Sequence, residues 1–318
     1  MENIHKRSLF ARVSLCMACF LFSATIVQAT PIAVTVSIPP QKYFLEQIGG
    51  TDVTVTVMAD KGRDPHSYEP TAAQMTAISK AEIYIAIGVP FETQWLPKFM
   101  GLAPAMHVVS LLDGITRLQG EPDLALRGGR RTHNDHGHAH DHGHTHGHGL
   151  ETDDPHIWLS PRIMAETIPA TVAALSKARP AKAADFARRG AALLHDIKEL
   201  DAEITVMFAA LPPEKRLFLT FHQSWAYYAH NYTLREVSVE LGGREPSPRD
   251  MAKLMDFAVE KGITAIVADP MTSKSVVTAI ARNIKGQAVT ANPLDGNWPA
   301  VLRDFSQALA KALAPAKP

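Results

Sequence analysis

Cysteine is almost missing from this 318-residue chain, and the two that occur, Cys16 and Cys19, both sit in the apolar stretch near the N-terminus. That stretch, Val13 to Val27, follows His5, Lys6, Arg7 and Arg12 and runs into Val27-Gln28-Ala29. A basic start, an apolar middle and small residues before a cut describe a secretory signal, residues 1–29, removed after Ala29. At about 15 residues the apolar run is too short to span a bilayer comfortably. It continues past Cys19, whereas a lipid-attachment cysteine closes its signal. The exported chain is therefore expected to hold no thiol, no disulfide and no thiolate metal site. An excess of one charge is missing too. Lys plus Arg and Asp plus Glu stand at 32 each, so nothing suggests a nucleic-acid surface or an acidic tail. No segment after Val27 is long and apolar enough to suggest a membrane span.

What remains is an ordinary globular composition, 46% hydrophobic and 20% charged, on a chain long enough for two cores. The chain from residue 30 onward divides into two halves with one rhythm. In the first, short β-branched runs at 32–36, 53–57, 83–87 and 107–112 alternate with helical patterns at 41–48, 71–80 and 91–100. In the second, strands at 216–221, 235–241, 263–268 and 288–291 alternate with helices at 225–231, 248–261, 273–284 and 299–313. The helix at 248–261 carries Met251, Leu254, Met255 and Ala258 on one face. Such alternation predicts an α/β fold with parallel sheets covered on both sides. Between the halves, Ala181 to Ala210 places Phe186, Leu193, Leu194, Ile197, Leu200, Ile204 and Phe208 on a drifting stripe. This predicts about 45 Å of rigid connecting helix. The expected domains are an N-terminal lobe at 30–180, a linking helix at 181–210 and a C-terminal lobe at 211–318.

Histidine is the anomaly. Of 15 in the chain, eight fall between His133 and His148. The others of interest lie where strands end, and ligands of open α/β folds gather outside the carboxyl ends of strands. His66 stands in the loop after 53–57, His222 follows 216–221, and His156 comes just after the His-rich stretch. Asn292 to Asp295 follow the last strand. Four loops can thus offer donors to one cleft. Three neutral imidazoles with an oxygen donor suit zinc, which favours four ligands in a tetrahedron. A lone histidine near a strand end is more often an ordinary surface or hydrogen-bonded residue. The two Asp-Pro-His triplets and the run around His222 shift that balance.

The runs Asp64-Pro65-His66-Ser67-Tyr68-Glu69-Pro70, Asp154-Pro155-His156-Ile157-Trp158-Leu159 and Thr220-Phe221-His222-Gln223-Ser224-Trp225, in this order, resemble a known family. It is the metal-specific substrate-binding proteins of ABC importers, in the zinc branch. Gly243-Arg244-Glu245-Pro246-Ser247 and Asn292-Pro293-Leu294 are similar to it as well. The resemblance covers nearly the whole exported chain. It implies two α/β lobes joined by a single long helix, with Zn2+ held in the inter-lobe cleft by His66, His156 and His222. Manganese-type relatives typically have a carboxylate where His222 stands, so the resemblance points to zinc, the metal imidazole favours. Relatives often carry an acidic residue in the last cleft loop, where this chain has Asn292. Asp295 is the expected fourth ligand, with Asn292, Glu69, Asp64 or water as alternatives.

His133, His136, His138, His140, His142, His144, His146 and His148 lie in a segment, Arg127 to Gly149, without apolar periodicity. It reads as a mobile loop offering many interchangeable imidazole sites. Each is expected to be weaker than the cleft, because ordering the loop costs entropy. An auxiliary zinc-collecting role fits, against the alternative of low-complexity sequence with no role. The expectation is a monomeric periplasmic zinc receptor that passes Zn2+ to a membrane permease. Alternatives are a periplasmic zinc buffer or chaperone, a manganese receptor, a surface adhesin and a zinc hydrolase. The chain lacks the His-Glu-x-x-His pattern, which counts against the hydrolase.

Overall fold

The computed structural model describes residues 30–60, 62–118, 154–240 and 246–315. Residues 1–29, expected to be a secretory signal, the His-rich run and residues 243–245 of the Gly-Arg-Glu motif lie outside them. Ile32–Val36 (β1), Val53–Val57 (β2), Ile83–Ala86 (β3) and His107–Ser110 (β4) make one parallel sheet in the order β2-β1-β3-β4. Leu217–Thr220 (β5), Arg235–Ser238 (β6), Ala265–Ala268 (β7) and Gln287–Thr290 (β8) make a second in the order β6-β5-β7-β8. The two orders are the same pattern, so each lobe reverses direction beside its first strand and opens a crevice at the carboxyl ends there. Central strands β3 and β7 are buried along their whole length, as parallel strands covered on both faces must be.

The helices are Pro39–Gly49 (α1), Ala72–Ile78 (α2), Pro90–Leu102 (α3), Pro161–Ala178 (α4), Ala183–Ala209 (α5), Ala226–Asn231 (α6), Pro248–Glu260 (α7), Lys274–Asn283 (α8) and Trp298–Leu313 (α9). Four open on a proline at their first position, where its missing N–H costs nothing. None of them is long and apolar enough to cross a membrane.

The predicted connecting helix is α5, whose 27 residues span about 40 Å. Its stripe Phe186, Leu193, Ile197, Leu200, Ile204 and Phe208 is buried. Helix α4 was not foreseen, because Pro169 and several β-branched residues interrupt the helical pattern of its sequence. The signals were present nonetheless. Ser160 caps the helix by accepting from Ile163 N at 3.3 Å, Pro161 follows, and Met164, Ile168, Thr171 and Leu175 keep one face buried. The long helix is thus one arm of an antiparallel pair. Gly190 is what lets the arms meet, since a Cβ there would stand 2.5 Å from Val172 Cγ2. Glycine costs about 1 kcal/mol of helix propensity at such a position, offset here by close packing.

A single apolar core runs from the first sheet, through α4 and α5, to Phe218, Ala265, Val267 and Val289 on one face of the second sheet, and into α9 through Leu302, Phe305 and Leu309. The other face of the second sheet forms its own core with Leu254 and Met255 of α7 and Val277 and Ile280 of α8. Two tryptophans tie the lobes where the cores join. Trp298 donates from Nε1 to the carbonyl of Trp158 at 2.6 Å and packs on Phe44 of α1, with ring centroids 4.8 Å apart. Trp158 in turn donates to the carbonyl of Pro293 at 2.8 Å. Both rings are 2% exposed. Replacing Trp298 with alanine is expected to destabilise the protein by about 3–5 kcal/mol, as for other buried aromatics. Urea unfolding of the variant beside wild type measures it.

Candidate metal centre

Three loops, each held in shape before it meets a ligand, bring three imidazoles together. Asp64 accepts from His66 N at 2.9 Å through Oδ1 and from Ser67 Oγ at 2.9 Å through Oδ2. This is an Asx turn, in which an aspartate carboxylate bonds the backbone two residues on. Tyr68, 5% exposed, pins the same loop to the first lobe, with its ring 4.9 Å from that of Phe91. The second Asp-Pro-His triplet repeats the device. Asp154 Oδ1 accepts from His156 N at 2.8 Å. The segment is anchored from the second lobe, where Tyr227 of α6 donates its hydroxyl to the Asp154 carbonyl at 2.9 Å. His222 stands just past β5, where the backbone continues the sheet for one residue through Phe221 N to Val267 O at 3.0 Å.

The ring centroids form a near-regular triangle: His66 to His156 5.7 Å, His66 to His222 5.2 Å and His156 to His222 5.6 Å. One ring nitrogen from each lies within 4.8 Å of the others. Two rings are oriented by carboxylates behind them. His156 Nδ1 lies 2.7 Å from Asp154 Oδ1, and His222 Nδ1 lies 2.9 Å from Glu240 Oε2. A carboxylate can only accept there, so Nδ1 carries the proton and the Nε2 lone pair is left for a metal. The buried Nε2 of His222 has no hydrogen-bond partner, which fits an atom reserved for a ligand. His66 is the most exposed of the three residues. Enclosure of its ring nonetheless pushes its pKa down to about 4, with the neighbouring His156 and His222 adding to the shift. It is therefore neutral at pH 7, and no proton has to leave it for a cation to enter.

Tetrahedral zinc with bonds of about 2.0–2.1 Å sets its nitrogens about 3.3 Å apart. The 4.8 Å span is therefore within a shift on the order of 1 Å per ring of a bound geometry. Among the described residues this is the single group of histidine, aspartate and glutamate side chains converging in this way. Its donors are all imidazole nitrogens, a set that favours zinc over oxygen-seeking cations such as manganese or calcium.

A model of the zinc-uptake complex component A family, a periplasmic family, matches residues 34–312. The chain belongs to that family. It is an uptake family and not an enzyme family. Zinc-binding protein AdcA of Streptococcus pyogenes serotype M3 is 27% identical over 306 residues, covering 92% of this chain and 56% of AdcA. The chain thus spans just over half the length of that relative. A crystal structure of ZnuA superposes with a TM-score of 0.76 at 32% identity, covering 89% of this chain and 100% of that one. A ZnuA deletion mutant lacking its residues 138–173, with zinc bound, superposes with a TM-score of 0.76 at 33% identity, covering 91% and 100%.

In this member of the zinc-uptake family, the side chains expected to donate from the last cleft loop make local hydrogen bonds. Neither Asp295 nor Glu69 is in the group of converging side chains. Asp295 Oδ1 accepts from Asn297 N at 2.8 Å, and Asn292 Oδ1 accepts from Leu294 N at 3.1 Å. Two further Asx turns fold this loop on itself, and its Pro293 carbonyl holds Trp158. Trp158 then packs on His156, ring to ring at 5.1 Å. Through Trp158 the loop bears on His156.

Sequence reasoning missed Glu240 and the orienting role of Asp154. The parallel register of β5 and β6 pairs Thr220 with Ser238 and, continued two residues on, sets His222 beside Glu240. That register is not written in either strand alone. Asp154→Asn keeps the shape but can present an N–H to Nδ1 in place of an acceptor. Zinc affinity is expected to fall about 10- to 100-fold, the usual cost of losing a partner behind a ligand. Competition titration against a chromogenic chelator measures the change.

Proposed function

We propose that this protein is an extracytoplasmic zinc receptor that captures Zn2+ on His66, His156 and His222 and delivers it to the permease of an ABC importer. The observation that carries the proposal is the triangle of imidazoles, two of them oriented through Nδ1 by a carboxylate. Membership of a periplasmic zinc-uptake family supports it, as do the names of AdcA and of the zinc-bound ZnuA variant. The chain acts as a monomer after removal of its leader.

Capture begins with diffusion of the hydrated cation into a cleft whose walls hold the Asp154 and Glu240 carboxylates. Three neutral lone pairs then replace three waters, and positive charge passing to the rings strengthens their Nδ1–H bonds to those carboxylates. The fourth position is left to an oxygen donor, water or one of the cleft-loop side chains Asp295, Asn292, Glu69 and Asp64. The Asp154 and Glu240 carboxylates orient imidazoles, which favours a receptor over a hydrolase. The continuous core through α4, α5 and α9 limits movement to the loops and small lobe shifts. Release therefore requires the permease to displace a ligand loop. The His66 loop, the only one of the three whose histidine is exposed, is the natural lever. The histidines from His133 to His148 gather zinc weakly and raise its concentration near the cleft.

The test is zinc titration by chelator competition on the leaderless protein, with and without residues 130–149. One tight site should survive the deletion while weaker sites disappear. His222→Ala should weaken the tight site by about 100-fold or more, taking roughly 10–16 kcal/mol of zinc binding as shared among four ligands. Loss of the tight site with the deletion would move capture from the cleft to the His-rich segment. Zinc uptake by cells that does not depend on a permease would favour a buffer instead.

A further inference from the structure

One acidic side chain near the site serves no ligand directly. Glu236 lies in β6, four residues before Glu240, and is not exposed. Its Oε1 accepts from Thr220 Oγ1 at 2.8 Å, from Ser224 N at 3.0 Å and from Trp225 N at 3.2 Å, while Oε2 accepts from Trp225 N at 3.1 Å. All of these donors are neutral. Desolvation pushes the carboxyl up to about 7 in spite of them, with the hydrogen bonds opposing the shift and nearby Asp154 adding to it. A carboxylate enclosed without a cationic partner is costly to keep. Its neighbours explain what it accomplishes.

The donors flank His222 on both sides in sequence. Thr220 is the last residue of β5, and Trp225 is the N-cap of α6, which has no side-chain cap of its own. Glu236 reaches across from the neighbouring strand to supply that cap and closes the turn 220–225 onto β6. His222 sits inside the closed turn, and its ring is bonded to Glu240 of the same strand end. β6 thereby fixes the ligand twice, through the backbone at Glu236 and through the ring at Glu240.

We propose that Glu236 is a positioning residue for metal capture, which sets where His222 presents Nε2 by clamping Thr220, Ser224 and Trp225. The inference rests on the reading of His222 as a zinc ligand and extends it to a residue that touches neither metal nor ligand. Placement tolerance at a metal centre is a few tenths of an ångström.

The near-isosteric Glu236→Gln turns one acceptor oxygen into a donor facing the Trp225 N–H, leaving the remaining contacts available. With the fold checked by circular dichroism, its zinc affinity should fall about 10- to 100-fold, as for other residues behind a ligand. Cobalt(II) loaded in place of zinc gives visible absorption bands that report ligand geometry, and these should shift in position or intensity. Stability loss alone would leave the bands of the folded fraction unchanged. If Glu236→Gln does not fold, Thr220→Val, which removes a single contact, decides the matter. It should show a smaller loss of affinity and a band shift in the same direction. Wild-type affinity and cobalt bands in folded Glu236→Gln, or in Thr220→Val when that variant decides, overturn the proposal. If His222→Ala at the same time loses tight zinc binding, the receptor reading still stands. A wild-type protein without a tight zinc site removes the receptor reading and the role of Glu236 with it.

Discussion

The hydrogen bond from an imidazole Nδ1 to a carboxylate behind it is the interaction on which the site depends. Left to themselves, three histidines this close would rotate or bond to one another. Asp154 and Glu240 prevent this by accepting from Nδ1, at 2.7 Å for His156 and 2.9 Å for His222. Each bond fixes a tautomer and a ring plane together and leaves Nε2 as the only lone pair available. Burial then works in favour of the metal, because a depressed histidine pKa keeps the His66 ring unprotonated. The orphaned Nε2 of His222 is the price of readiness, an unsatisfied buried atom kept for a ligand that satisfies it.

The rest of the fold holds those carboxylates still. Asp154 is fixed through its carbonyl by Tyr227 of the opposite lobe, and Glu240 ends a strand already in register with the strand before His222. The Trp158 and Trp298 rings fill the junction between lobes, and their indole N–H groups bond to backbone carbonyls across 135 and 140 residues of chain. Arg162 of α4, Asp201 of α5 and Tyr232 beyond α6 add a polar link, with Asp201 accepting from Arg162 Nε at 2.9 Å and from the Tyr232 hydroxyl at 2.8 Å. With one apolar core passing through the junction, opening the cleft widely would expose it to water. Small displacements of ligand loops are the cheaper motion. The shift on the order of 1 Å that tetrahedral zinc asks of each ring belongs to that class.

Much of this was legible in the sequence for identifiable reasons. Strand runs such as Val53–Val57, and the stripe from Phe186 to Phe208, carry their periodicity openly, so both sheets and the long helix could be read from them. The histidines that converge were recognisable because each follows a strand end or an Asp-Pro turn. Helix α4 escaped because Pro169 breaks the expected pattern, although the signature Ser160-Pro161 announces its start. The roles of Glu240 and Glu236 escaped because they arise from the pairing of β5 with β6, a long-range fact that neither strand records. Asp295 was favoured as a donor from its place in the last cleft loop. In the structure one oxygen of that carboxylate, Oδ1, accepts from Asn297 N in a local Asx turn.

The most direct measurement of the central claim is zinc K-edge X-ray absorption on the protein lacking residues 1–29 and 130–149, loaded with one equivalent of zinc. The account predicts about three imidazole nitrogens and one oxygen at about 2.0–2.1 Å, with the multiple-scattering pattern of rigid imidazole rings. A shell dominated by oxygen, or one imidazole where three are expected, would contradict it.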